Sequence, residues 1–246
     1  MEENLLKTST KQRIFTIIIA IIMLGSTIAM YAVIILGGKK SAANQTTISG
    51  LEQEYTTKAN EVNEAALEYS DRYLTTLTQY QSEVKGFNAN TANSGSIVKR
   101  DLEIGTGREL TASDTDYFAY YIGFCPNEKV FDSSFQDYDH PTVLKTPLNP
   151  AMNLIDGWRQ GVTGMKLGGV REITIPSEFA YKDSTTPCGE ANSPLKFIIL
   201  AFEKTGELAK LSDELMDIYN QLMAIYYTDM GASPVHDDTG DIEAQD

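Results

Sequence analysis

Histidine and cysteine are nearly missing from this chain: 246 residues carry two of each, His140, His236, Cys125 and Cys188, with no paired spacing among them. That poverty speaks against zinc sites, and against catalysis by Cys/His or Ser/His/Asp arrangements. Positive charge is also short, 20 Lys and Arg against 34 Asp and Glu for a net charge of −14. Binding to phosphates needs the opposite balance, so nucleic acid is not an expected partner. No metal or cofactor signature is present. Gly164-Met165-Lys166-Leu167-Gly168-Gly169 leaves a helical pattern and enters a strand pattern, the reverse of a phosphate-binding loop, and reads as a helix stop followed by a turn. Carboxylates are abundant, but their spacing nominates no acid and base pair.

Charge is absent altogether from residues 14–36. About 23 uncharged, mostly apolar residues make a helix of ~35 Å, enough to cross a hydrocarbon core of ~30 Å. The run is longer than the ~7–15 residue apolar region of a cleaved secretory signal, although Ser41-Ala42-Ala43 offers a small-residue cleavage site. A membrane anchor is expected. Lys7, Lys11 and Arg13 precede it, against Lys39 and Lys40 after it. The positive-inside rule therefore puts residues 1–13 in the cytoplasm and the bulk of the chain outside.

Proline is missing from residues 48–85, which follow a polar connector at 37–47. Leu51, Tyr55, Ala59, Val62, Ala66, Tyr69, Tyr73, Leu77, Tyr80 and Val84 recur there at spacings of three and four, one face of a long helix. A second helix is expected over 205–231, where Leu208, Leu211, Leu215, Ile218, Leu222 and Ile225 form a heptad stripe. The two stripes predict coiled-coil packing of one helix along the other, within one chain or across a homodimer. Residues 86–96, rich in Gly, Asn and Ser, read as a flexible linker. Residues 232–246 read as a disordered acidic tail.

Between linker and C-terminal helix, residues 97–204 change to a strand pattern. Short β-branched and aromatic runs at 97–104, 116–125, 130–133, 170–175 and 195–202 are separated by turn-forming segments. Only one short helix fits, at 156–165. The expected fold is α+β, an antiparallel five- to six-stranded sheet wrapped on one short helix.

The supply of aromatics then becomes specific. Tyr121-Ile122-Gly123, Val130-Phe131-Asp132-Ser133-Ser134, Leu154-Ile155-Asp156-Gly157-Trp158, Phe179-Ala180-Tyr181 and Asn192-Ser193-Pro194-Leu195-Lys196-Phe197 resemble, in this order, the FKBP-type peptidyl-prolyl isomerases. The resemblance implies an aromatic cup lined by Tyr121, Phe131, Leu154, Ile155, Trp158 and Phe197, with Trp158 as its floor under a substrate proline. It implies that Tyr181 and the Ile155 N–H hydrogen-bond substrate carbonyls, and that Asp132 accepts from Tyr121 while facing the twisting amide. Leu144 and Ala180 are the further substrate contacts it suggests. It also places Cys125 at the end of a pocket strand and Cys188 in a loop over the pocket rim, leaving a disulfide between them open.

This sequence departs from the family pattern at Asp137, at Leu144, in about three extra residues within 147–153 and in the cysteine-bearing loop 182–191. Two functional readings follow. One is a membrane-tethered prolyl isomerase that needs no cofactor, helping exported or membrane proteins fold with proline-containing polypeptides as clients. The other is a non-catalytic binding module of the same fold, an adaptor or holdase chaperone.

Overall fold

A computed structural model describes residues 42–81, 87–93, 95–126, 128–152, 154–184, 186–189 and 191–229. The expected membrane span at 14–36, the N-terminal residues 1–13 and the acidic tail at 232–246 lie outside them. Among the described residues no helix is long and apolar enough to cross a membrane. The described residues divide into two compact units, one within residues 62–212 and the other made of residues 42–61 together with 213–229.

The unit of residues 62–212 is built on a five-stranded antiparallel sheet: β1 Val98–Glu103, β2 Tyr117–Phe124, β3 Val130–Ser133, β4 Val170–Ile175 and β5 Leu195–Glu203, in the spatial order β1-β4-β5-β2-β3. The antiparallel five-stranded sheet expected from the strand pattern is present. β2 is buried along nearly its whole length, because successive side chains point to opposite faces and both faces are covered. Tyr117, Ala119 and Tyr121 join Ile173, Ile175, Phe197 and Ile199 around the short helix, Asp156–Val162, in one core. Phe118 and Tyr120 belong to the opposite face, where their rings meet Phe202.

That second cover corrects the expectation of a sheet wrapped on one helix. The long N-terminal helix, α1, runs Ala42–Thr78, not 48–85, and its Tyr69 and Tyr73 lie on the sheet. Tyr73 stacks on Phe202 with ring centroids 4.4 Å apart and Tyr69 does so at 5.6 Å. Tyr69 Oη donates to the Thr205 carbonyl (2.9 Å), and Ser70 Oγ accepts from the Leu144 N–H (2.8 Å). A tyrosine suits this seat, since its ring supplies apolar area while its hydroxyl reaches polar atoms at the edge.

The segment read as a flexible linker is docked where it is described. It opens with Phe87, buried under the Lys196 ammonium. One helical turn follows, α2 Ala89–Ala92, and then Asn93, which bonds to two loops of the sheet unit. The short helix Asp156–Val162 is α3.

α3 is held from beneath by Arg171 of β4. Its Nη1 donates to the carbonyls of Gly161, Val162 and Thr163 and its Nη2 to that of Gly164, while Nε and Nη2 also engage both carboxylate oxygens of Asp101 on β1. The last carbonyls of a helix have no partner within it, and a guanidinium offers five donors in a fixed fork.

In the other unit, residues 42–61 of α1 pair with residues 213–229 of the C-terminal helix, α4 Gly206–Asp229. Ile48, Ile218 and Leu222 are the centre of this pairing, flanked by Leu51, Tyr55, Met223 and Ile225. Lys58 bridges Glu61 and Glu214 at 2.7 and 2.8 Å. One chain thus covers this part of its own stripe, and no second copy is required to keep it from water.

Candidate active site

The site begins with α3, whose first residues set the height of a tryptophan. Gly157 and Gly161, four apart, form the helix face against β4. A Cβ on Gly157 would stand 2.2 Å from Ile175 Cγ2, and one on Gly161 2.7 Å from Ile173 Cδ1. Only glycine permits this approach. Trp158 is thereby pressed into the core, 2% exposed, and its Nε1–H donates to Tyr117 Oη at 3.0 Å. Burial pushes the Tyr117 phenol up to about 12, so it stays protonated and keeps its oxygen available to the indole.

Around that floor the rings meet edge to face. Tyr121 and Phe197 lie 5.5 and 5.4 Å from Trp158 by centroid, and Phe131 stands 5.6 Å from Phe197. Leu154, Ile155, Phe179, Ala180 and Cys188 pack partly buried against the same cluster. These residues come from β2, β3, α3, β5, one 3-10 turn and two loops. Edge-to-face geometry suits the ring quadrupoles.

At the mouth the Tyr121 hydroxyl donates to Asp132 Oδ2. Burial, reinforced by the Asp132 carboxylate, holds the Tyr121 phenol far above its ordinary range, so it remains a donor at any physiological pH. Asp132 Oδ1 accepts from the Ser133 N–H (2.8 Å), and Ser134 Oγ accepts from the Tyr121 N–H (2.8 Å). The Asp132-Ser133-Ser134 run therefore fixes one carboxylate at the rim and ties β3 to β2.

Tyr181 is exposed beyond the single 3-10 turn Ser177–Phe179, outside the buried cluster. Leu144 needs correction as a substrate contact. It is buried away from the cup cluster, bridged to Phe135, with its N–H on Ser70 of α1, because α1 covers the position that a freestanding domain would expose. Asp137 is also remote from the cup, its Oδ1 accepting from the N–H groups of Asp139 and His140 in a local turn.

The rim loop is fastened at three points. Cys188 is disulfide-bonded to Cys125, just past β2. At its base, Lys182 N–H donates to the Ser177 carbonyl and Asn192 N–H to the Lys182 carbonyl. Asn93 closes the ring, accepting from the Ser177 N–H and donating to the Asn192 carbonyl, both at 2.9 Å. Sequence reasoning missed Asn93, Phe179 and Ser134. Phe179 and Ser134 lie within the quoted motifs, but Asn93 sits in a stretch whose composition signals only flexibility. Replacing Asn93 with alanine is expected to make the Lys182 and Asn192 amides exchange with solvent about fivefold faster, the equivalent of one modest hydrogen bond, with the β5 amides unchanged. Hydrogen exchange read by NMR checks this.

Beside the cup, along β3, runs an open groove of about 740 Å³ that reaches from Gln81 to Lys145. Phe131 and Asp132 line it, but Tyr121, Trp158 and Phe197 do not. Among the described residues no group of three or more His, Cys, Asp and Glu side chains is placed to hold a metal ion.

Residues 108–200 match the family model of FKBP-type peptidyl-prolyl cis-trans isomerase. The chain is similar to an FK506-binding protein of Neisseria meningitidis serogroup A, 37% identical over 87 residues that make up 35% of this chain and 75% of that protein. It is 37% identical over 103 residues to FK506-binding protein 4 of Candida glabrata, and 36% identical over 103 residues to FK506-binding protein 4 of Chaetomium thermophilum. Both matches take in 42% of this chain, but it spans only 24% and 20% of those two fungal proteins.

Proposed function

The chain belongs to the FKBP-type peptidyl-prolyl cis-trans isomerase family, and from that premise we propose that it catalyses cis/trans exchange of X-Pro bonds in polypeptide clients. The observation that carries this reading is the cup of Tyr121, Phe131, Trp158 and Phe197 with the Tyr121–Asp132 pair at its mouth. Amide resonance sets a barrier of ~20 kcal/mol, and the twisted transition state has lost that resonance and with it much of its charge separation. An apolar cup therefore favours the twisted form over the planar one, and catalysis by differential binding needs nothing more.

In this reading the proline ring rests on Trp158 between Phe131 and Phe197. Ile155 N–H and Tyr181 hold the flanking carbonyls, Leu154 and Ala180 border the client, and Asp132 faces the amide carbon as positive character grows there. No metal or cofactor enters. We further propose that residues 14–36 tether the domain at the outer face of a membrane, where it acts on exported chains. The uncharged run supports this, as does a disulfide, which persists in oxidising compartments.

Phe131 tests the reading because it is only partly buried, and losing it perturbs the core less than losing Trp158. Burying a phenylalanine is worth about 1.5–3 kcal/mol. If the substrate completes that burial only in the transition state, Phe131→Ala lowers kcat/KM about 10- to 100-fold. NMR exchange rates for an X-Pro peptide, beside a thermal melt, measure both sides. A fall in melting temperature with no fall in kcat/KM would assign Phe131 to the core alone.

A further inference from the structure

We propose that the groove along β3 binds the extended stretch of client chain that flanks the proline, holding it by its backbone while the proline occupies the cup. This rests on the isomerase reading above. β3 lies at the edge of the sheet, paired with β2 on one side only, and an edge strand presents alternate N–H and C=O groups outward, a template for one more strand. The groove runs along β3, but Ser133 already has its N–H on Asp132 Oδ1 and its carbonyl on Lys145 Nζ, so an added chain has only residues 130–132 to pair with, enough for about one or two backbone hydrogen bonds. Phe131 and Asp132 border both the groove and the cup, which makes the path from proline to flanking chain continuous.

The far wall is fixed from outside the family-matched residues. Gln81, in the turn after α1, donates through Nε2 to the Tyr138 carbonyl (2.8 Å), and Tyr138 Oη donates back to the Gln81 carbonyl (3.1 Å). One end of the strand is closed by Lys145, whose Nζ donates to the Ser133 carbonyl at 2.8 Å. The rim carries both signs, Lys129 and Lys145 against Glu128, Asp132 and Asp139. No charge class is selected, and the recognised chemistry is extended backbone.

The test compares a short X-Pro peptide with the same peptide lengthened by neutral residues on either side of the proline, on the full chain and on Gln136→Trp. Gln136 is exposed in the groove wall and its N–H bonds to the Val143 carbonyl, so the indole fills the groove without disturbing the backbone. One lengthened peptide is expected to show a kcat/KM about tenfold above the short one, the value of one or two net hydrogen bonds. Gln136→Trp should abolish that gain and leave the short peptide unchanged. Equal rates for all peptides, or a gain that survives Gln136→Trp, overturn the groove assignment. A wild-type chain inactive on every peptide overturns the isomerase reading instead. Peptide titrations then decide the groove: preference for the long peptide that Gln136→Trp removes supports it, and equal binding overturns it.

Discussion

Breaking the Cys125–Cys188 bond is expected to cost about 4 kcal/mol of stability, the largest loss foreseen for a local change in this chain. The bond closes a loop of 63 residues, and the chain-entropy account gives about 4 kcal/mol for a closure of that length. The loop it closes contains β3, α3 and β4, so the unfolded chain regains freedom over most of the cup's framework. Cys125 is buried at the end of β2, and Cys188 packs on the aromatic cluster. Reduction also frees the rim loop from the hairpin. A Cys125→Ala/Cys188→Ala variant should melt roughly 8–16 °C lower, with the rim-loop amides losing protection first. An unchanged melting temperature would mean that the bond constrains nothing that the core does not already hold.

Arg171→Met is expected to cost about 3 kcal/mol. The side chain is 6% exposed and engages Asp101 at 2.6 Å, while four carbonyls at the end of α3 receive its other donors. Methionine fills similar space but leaves Asp101 and those carbonyls unmet, and removing one partner of a buried charged pair typically costs ~3–5 kcal/mol. The lower figure applies because Asp101 is 41% exposed and water can reach it. Arg171→Lys restores a charge but not the fork, and should recover less than half of the loss. Urea denaturation measures both. In a double-mutant cycle with Asp101→Asn the two losses should fall short of additive, whereas strict additivity would place the value of Arg171 in the helix carbonyls alone. Since α3 carries Trp158, kcat should fall with Arg171→Met even where the protein remains folded.

The cup was legible because five short motifs occur in order, and the strands because β-branched and aromatic runs end at turn residues. The second cover of the sheet was not drawn from the sequence, although a sign of it stands in β2. Tyr117 to Phe124 is apolar or aromatic at every position, as befits a strand buried on both faces. A helical stripe says that a face is covered without saying by what, so Tyr69 and Tyr73 read equally well as a seam for another helix. Asn93 and Arg171 were invisible for a different reason. Their roles lie in backbone groups distant in sequence, and nothing in a residue's neighbours reports which carbonyl its side chain will meet. Leu144 misled because α1, which lies outside the matched family residues, occupies its surroundings. The cysteine pairing depended on a separation between Cα atoms, 5.6 Å here, that only the folded chain supplies.

Magnetisation-transfer NMR on a proline-containing peptide, with the full chain added in catalytic amount, tests the central claim most directly. The cis and trans signals are expected to exchange far faster than the uncatalysed interconversion of tens to hundreds of seconds, and Phe131→Ala to slow that exchange while remaining folded. Uncatalysed rates in a folded wild-type sample would contradict the central claim, and would leave the aromatic cup as a binding site without turnover.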